Sequence, residues 1–164
     1  MKPKLLYTVS ARYSDESLNE LSKYYKLSYI NNINELKKEL PYAHALITSL
    51  ENEYSSNLFK NATNLKYIIS NTTGINHINL LKGTDIELIY LKDSSVLSEL
   101  RITAELAITL MFALIRNLRK NIDSVNAGEW DRYNSPGSSF SGKKLGIIGT
   151  GRLGGQVAAF CKYF

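Results

Sequence analysis

A glycine-rich turn between an apolar run and a helical run constrains the fold of this chain most. Residues 145–148 (LGII) are apolar, residues 149–154 (GTGRLG) follow the pattern G-x-G-x-x-G, and residues 156–163 carry apolar side chains at helical spacing. A strand before this pattern and a helix after it are the context in which the pattern indicates a phosphate-binding turn. The sequence therefore predicts the strand, turn and helix that open a Rossmann dinucleotide-binding unit, with an ordinary glycine-rich turn as the alternative.

Each glycine of this turn has its own mechanical role. Gly149 permits the tight turn out of the strand, Gly151 lets a pyrophosphate approach the backbone, and Gly154 lets the helix pack close to the strand. The free N–H groups of the helix start meet the phosphates, and Arg152 is placed to add a charge-assisted hydrogen bond. The acidic residue that holds the ribose lies about 20 residues further on in such units. That position is beyond Phe164, so the sequence predicts NAD or NADP without separating them.

Strand-like and helix-like segments alternate through the first part of the chain. Ser14 or Ser17 is a candidate N-cap for the first helix, Pro41 ends the second helix, and Gly83 ends a short helical turn. A regular alternation of this kind is typical of a mostly parallel sheet covered by helices, here a flavodoxin-like α/β domain. The predicted strands are 4–9, 27–30, 44–48, 66–70 and 86–91, the predicted helices are 14–25, 33–40 and 55–65, and the helical turn is 76–81.

A long apolar helix and a turn-rich linker connect this domain to the glycine turn. Residues 100–117 predict one helix buried on nearly all sides, and residues 117–130 predict a second helix or its continuation, ended by Gly128. The longest apolar run, residues 106–115, is too short to span a bilayer, which needs about 20 residues. We therefore expect three parts: a flavodoxin-like domain over 1–98, a bridging helix and linker arm over 99–140, and an incomplete dinucleotide-binding domain over 141–164.

The charge and cysteine content argue against several classes of protein. The formal net charge is +5, but lysines and acids are interspersed, which indicates a solvated surface and not a nucleic-acid partner. One cysteine, Cys161, excludes an internal disulfide and fits the reducing cytoplasm. That cysteine and two separated histidines do not form a zinc pattern. The N-terminus lacks the features of a signal peptide, so we expect a cytoplasmic protein without a membrane partner.

Four segments, in order and spacing, resemble the D-isomer-specific 2-hydroxyacid dehydrogenases. Residues 71–80 (NTTGINHINL) resemble the loop of that family written G-x-D-[HN]-I-D, and residues 103–118 (TAELAITLMFALIRNL) resemble its A-E-x-x-x-x-L helix. Residues 128–132 (GEWDR) are similar to its G-x-W segment, and residues 141–164 are similar to its glycine turn. Residues 1–69 agree with the family only in the alternation of strands and helices.

The resemblance implies a reversible hydride transfer between NAD(H) and a small 2-oxo or 2-hydroxy acid. It also implies a substrate domain built from both ends of a chain nearly twice this length. The Arg, Glu and His that carry the chemistry in the family match no residue here, so no catalytic residue is assigned. We therefore expect these 164 residues to be an incomplete and inactive portion. A non-catalytic α/β module for dimerisation or ligand binding is the alternative.

The resemblance also assigns binding residues. Gly74 and Ile75 match positions whose backbone N–H groups bind the substrate carboxylate, which suits a loop where glycine lets the backbone approach an anion. A plain strand-to-helix turn is the alternative for this loop. In the family, the region 100–140 buries against a second subunit, so a homodimer is implied, with burial between the two domains of the chain itself as the alternative. The cofactor-contacting positions are Thr73, Thr103, Gly149, Gly151, Arg152, Leu153 and Gly154.

Some positions depart from the family pattern. Asn76 and Asn79 replace the two loop acids, and Glu99 stands where an Asn near the nicotinamide is common. Phosphoglycerate-type members carry an Arg after the third strand, where this chain has residues 48–50 (TSL). A phosphorylated substrate is therefore not expected. His77 follows the loop, but it matches a position that is not the catalytic one, so we expect a structural role for it.

Overall fold

The computed structural model describes residues 2–8, 13–93 and 95–164. Its contacts divide the chain into two compact units, Met1–Leu97 and Ser98–Phe164. Residues 9–12 lie outside the described part, and with them the last residue of the first predicted strand, Val9.

A five-stranded parallel sheet forms the centre of the first unit. The strands are β1 (Lys4–Tyr7), β2 (Lys26–Tyr29), β3 (Ala45–Thr48), β4 (Tyr67–Ser70) and β5 (Glu87–Tyr90). All neighbours pair in parallel, in the order β2-β1-β3-β4-β5. This is the flavodoxin-like strand order, so the predicted fold class is confirmed for this unit.

The helices of the first unit begin and end at residues with local signals. Helix α1 (Asp15–Tyr24) begins after Ser14, whose side chain accepts a hydrogen bond from the N–H of Ser17. Ser14, and not Ser17, is therefore the N-cap. Helix α2 (Ile33–Glu39) is capped by the Asn32 side chain and continues into a 3-10 turn that contains Pro41.

The core of the first unit lies on both faces of the sheet. On one face Leu6, Leu46 and Ile68 belong to the larger buried cluster, and on the other Leu5 and Ile47 belong to the smaller one. Successive strand residues point to opposite faces, so a strand covered on both sides needs a continuous apolar run. All four residues of β3, the middle strand, are buried.

Two predicted helical segments of the first unit are wrong. Residues 55–65 contain only a 3-10 turn, Ser56–Phe59, followed by further i→i+3 hydrogen bonds. Asn and Thr side chains favour turns over helix interiors, and residues 61–64 (NATN) hold three of them. In the predicted helical turn over 76–81, Ile78 instead forms an isolated parallel bridge with Tyr54.

A short helix, α3 (Val96–Glu99), begins at the end of the first unit, and the second unit contains α4 (Ile102–Ile115), α5 (Leu118–Asn126) and α6 (Arg152–Cys161). Asn117 separates α4 from α5, since its φ of 49° is left-handed and breaks the helical path. The predicted second helix is thus a separate element. It ends before Gly128, whose φ of +79° suits a helix C-terminus.

Exposure in the second unit differs from the expectation. Only Ala104 of α4 is buried, so the described residues of this single chain do not bury the helix on nearly all sides. Residues 145–148 form no strand, because no described segment pairs with them.

Within the described ranges, no helix has the length and apolar character needed to cross a membrane.

Candidate functional site

The loop after β4 lies where the carboxyl ends of the parallel strands meet. Ligands of open α/β sheets bind in the crevice outside these strand ends. Thr73 and Gly74 are exposed and Ile75 is half-buried. No heavy atom lies within 4 Å of a Cβ placed on Gly74, so the backbone is open to an approaching group on that side.

Hydrogen bonds fix both halves of this loop. The Thr72 hydroxyl donates to the Gly74 carbonyl at 2.6 Å and lies 2.7 Å from the Ser70 hydroxyl. The Thr72 carbonyl accepts from the N–H of Leu91 at 3.1 Å, and the Ile75 carbonyl accepts from the N–H of Ile78 at 2.9 Å. The loop is therefore tied to itself and to the segment that follows β5.

Tyr54 anchors the far end of the loop. Its N–H donates to the His77 carbonyl at 2.8 Å, and its carbonyl accepts from the N–H of Asn79 at 2.9 Å. Its hydroxyl lies 2.6 Å from Thr8 Oγ1 and accepts from the N–H of Ser49 at 3.0 Å. The fully buried Tyr54 side chain thus connects the ends of β1 and β3 to this loop.

His77 is buried beside Tyr54. Its side chain is 7% exposed, and its ring meets the Tyr54 ring edge-on at a centroid distance of 6.0 Å. Within the described residues, Nε2 of His77 has no hydrogen-bond partner. His77 therefore contacts Tyr54 through both its backbone carbonyl and its ring, and these contacts support the loop.

The glycine turn has the geometry that its sequence pattern requires. Gly149 has a φ of +89°, a conformation that L side chains rarely adopt. A Cβ on Gly154 would overlap the Gly149 carbonyl oxygen and lie 3.3 Å from Cγ2 of Ile147. Gly154 therefore permits a close approach of α6 to the chain that leads into the turn.

The start of α6 is open. Gly151 is its N-cap residue, no side chain caps it, and a Cβ at Gly151 would meet no atom within 4 Å. The first N–H groups of a helix have no partner within the helix and favour an anion. The space beside Gly151 and the uncapped N–H groups at the start of α6 fit the pyrophosphate of a dinucleotide.

Arg152 is partly engaged elsewhere. One guanidinium N–H donates to the Leu100 carbonyl at 2.8 Å, and the Gln156 side chain donates to the same oxygen at 3.2 Å. A guanidinium has five donors, so this contact orients Arg152 and leaves other donors for a phosphate. Thr103 is exposed in the first turn of α4, which packs against α6, and Leu153 is 37% exposed.

Backbone hydrogen bonds stabilise the Asp131 carboxylate in the second unit. The backbone N–H of Asn134 donates to the Asp131 carboxylate at 3.0 Å and lowers the pKa of that carboxyl. This turn shapes the arm after α5 and is exposed. Within the described ranges, no group of three or more His, Cys, Asp or Glu residues is placed to hold a metal ion.

The chain is similar to several curated dehydrogenases. It is 32% identical over 130 residues to D-3-phosphoglycerate dehydrogenase from Archaeoglobus fulgidus, covering 78% of this chain and 24% of the relative. It is 29% identical over 136 residues to glyoxylate reductase from Pyrococcus horikoshii, covering 79% and 40%. The chain thus spans less than half of the length of these two relatives.

Solved structures show the same fold. D-lactate dehydrogenase from Aquifex aeolicus, crystallised with NAD and lactic acid, superposes with a TM-score of 0.79 at 22% identity. The match covers 98% of this chain and 48% of that chain. The predicted α/β class, a flavodoxin-like domain followed by the start of a Rossmann domain, is therefore confirmed.

Two family models match in tandem. Residues 108–164 match the NAD binding domain of the D-isomer specific 2-hydroxyacid dehydrogenases, which supports NAD as the cofactor. Residues 5–90, more than half of the 164-residue chain, match the catalytic domain of the same family. The chain therefore belongs to the D-isomer specific 2-hydroxyacid dehydrogenase family.

Proposed function

We propose that this chain is part of an oxidoreductase that interconverts a small 2-hydroxy acid and the corresponding 2-oxo acid with NAD(H). The observation that carries the proposal is the open, uncapped glycine turn at the start of α6. It lies within the segment that matches the NAD binding domain of the family. NAD, when bound, accepts or supplies the hydride in such reactions. The residues of this chain bind and orient the two reactants.

The cofactor proposal rests on the turn and its neighbours. Gly149 and Gly154 shape the turn, and Gly151 leaves space for the pyrophosphate against the first N–H groups of α6. Arg152, held by the Leu100 carbonyl, adds a charged donor. Thr73, Thr103 and Leu153 are proposed as further cofactor contacts from the family resemblance.

The substrate proposal rests on the loop after β4. Gly74 and Ile75 offer backbone N–H groups at the carboxyl edge of the sheet, where a carboxylate finds donors without a competing side chain at Gly74. Thr48 is the last residue of β3, and Ser49 and Leu50 follow it, so residues 48–50 contain no Arg or Lys. We therefore propose an unphosphorylated acid, although the similar proteins include both a D-3-phosphoglycerate dehydrogenase and a glyoxylate reductase.

The activity itself is the direct test. We expect the full-length gene product to oxidise NADH when supplied with glyoxylate or hydroxypyruvate, and we expect the 164 residues alone to show no turnover. The second expectation follows because no catalytic Arg, Glu or His is assigned within them. The loss of NADH absorbance measures both. An inactive full-length product would favour a non-catalytic binding or dimerisation module, and turnover by the 164 residues would contradict the assignment of missing catalytic groups.

We also propose that the apolar face of α4 and α5 packs against a second copy of this chain. The single cysteine fits the reducing cytoplasm, which we propose as the location of the protein. Leu114 is 80% exposed and Leu110 is 60% exposed. Together with Ala113 and Leu118 they line a groove of about 700 Å³ between the two helices. Contiguous exposed apolar surface of this kind marks an interaction site, and the family resemblance implies a homodimer through residues 100–140.

Substitution of the most exposed leucine tests the dimer. Leu114→Lys is expected to weaken self-association of the full-length product by at least about tenfold, because it places a charge in an apolar contact. Sedimentation velocity over a concentration series measures the change. Lys82→Glu, an exposed charge substitution in the first unit, is the control and should leave association unchanged. A monomeric wild-type protein would refute this proposal.

A further inference from the structure

Thr72 connects a buried strand end to the exposed part of the loop. Its hydroxyl donates to the Gly74 carbonyl at 2.6 Å and lies 2.7 Å from the hydroxyl of Ser70. A hydroxyl has one proton, and Thr72 gives that proton to the carbonyl, so Ser70 is the donor between the two hydroxyls. Ser70 is the last residue of β4 and is 2% exposed. The sheet thus holds Thr72 through Ser70.

This hydrogen bond sets the orientation of one peptide group. The Gly74 carbonyl and the Ile75 N–H belong to the same planar peptide, and no peptide of the described residues is cis. In a trans peptide these two groups point in opposite directions. Because the carbonyl points to Thr72, the N–H of Ile75 points away from it. No described residue accepts a hydrogen bond from this N–H.

The next peptide group along the chain, which joins Ile75 to Asn76, is also fixed. The Ile75 carbonyl accepts from the N–H of Ile78 at 2.9 Å. Ile78 is in turn held by the parallel bridge to Tyr54, whose buried hydroxyl reaches the ends of β1 and β3. The peptide that presents the Ile75 N–H therefore lies between two anchors in the sheet.

We propose that Thr72 is a positioning residue, whose hydroxyl holds the Gly74–Ile75 peptide with its N–H directed toward the substrate carboxylate. The inference rests on the proposed function, since it assigns that carboxylate to the Ile75 N–H. Thr72 acts through the backbone and does not touch the acid. Without its hydroxyl, the peptide next to Gly74 rotates more freely, because glycine restricts its backbone little.

A titration with a small carboxylate, oxalate, tests this role in the 164-residue chain. Amide proton and nitrogen shifts in NMR spectra follow the Ile75 N–H during the titration. We expect the wild type to show a saturable shift at Ile75, Thr72→Val to bind oxalate about tenfold more weakly, and Thr72→Ser to bind like the wild type. Thr109→Val is the control, because Thr109 also donates its hydroxyl to a backbone carbonyl, that of Glu105, within α4.

The outcomes separate this inference from the proposed function. Wild-type affinity in Thr72→Val, or no oxalate shift at Ile75 in the wild type, overturns the role of Thr72. Equal weakening in Thr72→Ser and Thr72→Val overturns it as well, because the hydroxyl would then not be the cause. If the oxalate results hold but the full-length product turns over no 2-oxo acid, the proposed function fails and the positioning role stands.

Discussion

Gly154→Ala is expected to abolish measurable NAD binding by the full-length product. It should also lower the free energy of unfolding by about 1–3 kcal/mol. The added Cβ would overlap the carbonyl oxygen of Gly149. A flexible side chain could rotate away, but this neighbour is backbone, so α6 or the turn has to shift. Either shift moves the first N–H groups of the helix, which are the proposed phosphate donors. Calorimetric titration with NAD and urea denaturation measure the two effects.

Gly155 provides a matched control one residue away. It lies in the same helix, α6, and a Cβ there would meet no atom within 4 Å. Alanine loses less conformational entropy than glycine when it is ordered in a helix. Gly155→Ala should therefore raise the free energy of unfolding by about 0.5–1 kcal/mol. It should also retain NAD binding. Equal NAD affinity in Gly154→Ala and Gly155→Ala would show that close packing at Gly154 is not required.

Tyr54→Ala is expected to lower the free energy of unfolding by about 3–5 kcal/mol, the range for removing a buried aromatic side chain. Tyr54 is 0% exposed, and its hydroxyl joins Thr8 and Ser49, which follow different strands. Tyr54→Phe keeps the ring and removes only the hydroxyl. It should cost about 1–3 kcal/mol, because the buried N–H of Ser49 loses its acceptor.

Urea denaturation of the 164-residue chain measures this series. Tyr42→Phe is the control, because Tyr42 is 67% exposed and its hydroxyl has no partner in the described part of the chain. Its effect should stay within about 0.5 kcal/mol. A Tyr54→Phe variant as stable as Tyr42→Phe would mean that the hydroxyl bonds at the strand ends contribute no net stability.

Local signals account for what the sequence predicted well. Each of the five strands of the first unit was placed within a few residues, because apolar runs rich in strand formers are a local property. Ser14 was a candidate N-cap because its side chain needs only the N–H of Ser17. The predicted third helix failed because apolar spacing over 55–65 outweighed the turn preference of its Asn and Thr residues.

The residues that hold the loop had no sequence signal. Tyr54 reaches Thr8 across 46 positions of the chain, and its bridge to Ile78 forms only once the strands are side by side. Thr72 is an ordinary loop threonine until its hydroxyl meets the carbonyl of Gly74. In the second unit, Gln156 has no sequence signal either, because its role depends on the hydrogen bond that its side chain donates to the Leu100 carbonyl in the folded chain.

By itself, the sequence determined the α/β class, the parallel alternation, the glycine turn and the family, because each depends on residue types at short, fixed spacings. The tertiary structure alone decided that α4 is largely exposed and that the Tyr54 hydroxyl reaches Thr8 and Ser49. These features depend on which distant groups come within hydrogen-bond or van der Waals distance. Such distances follow from the packing of the whole sheet and its helices, and no short segment contains them.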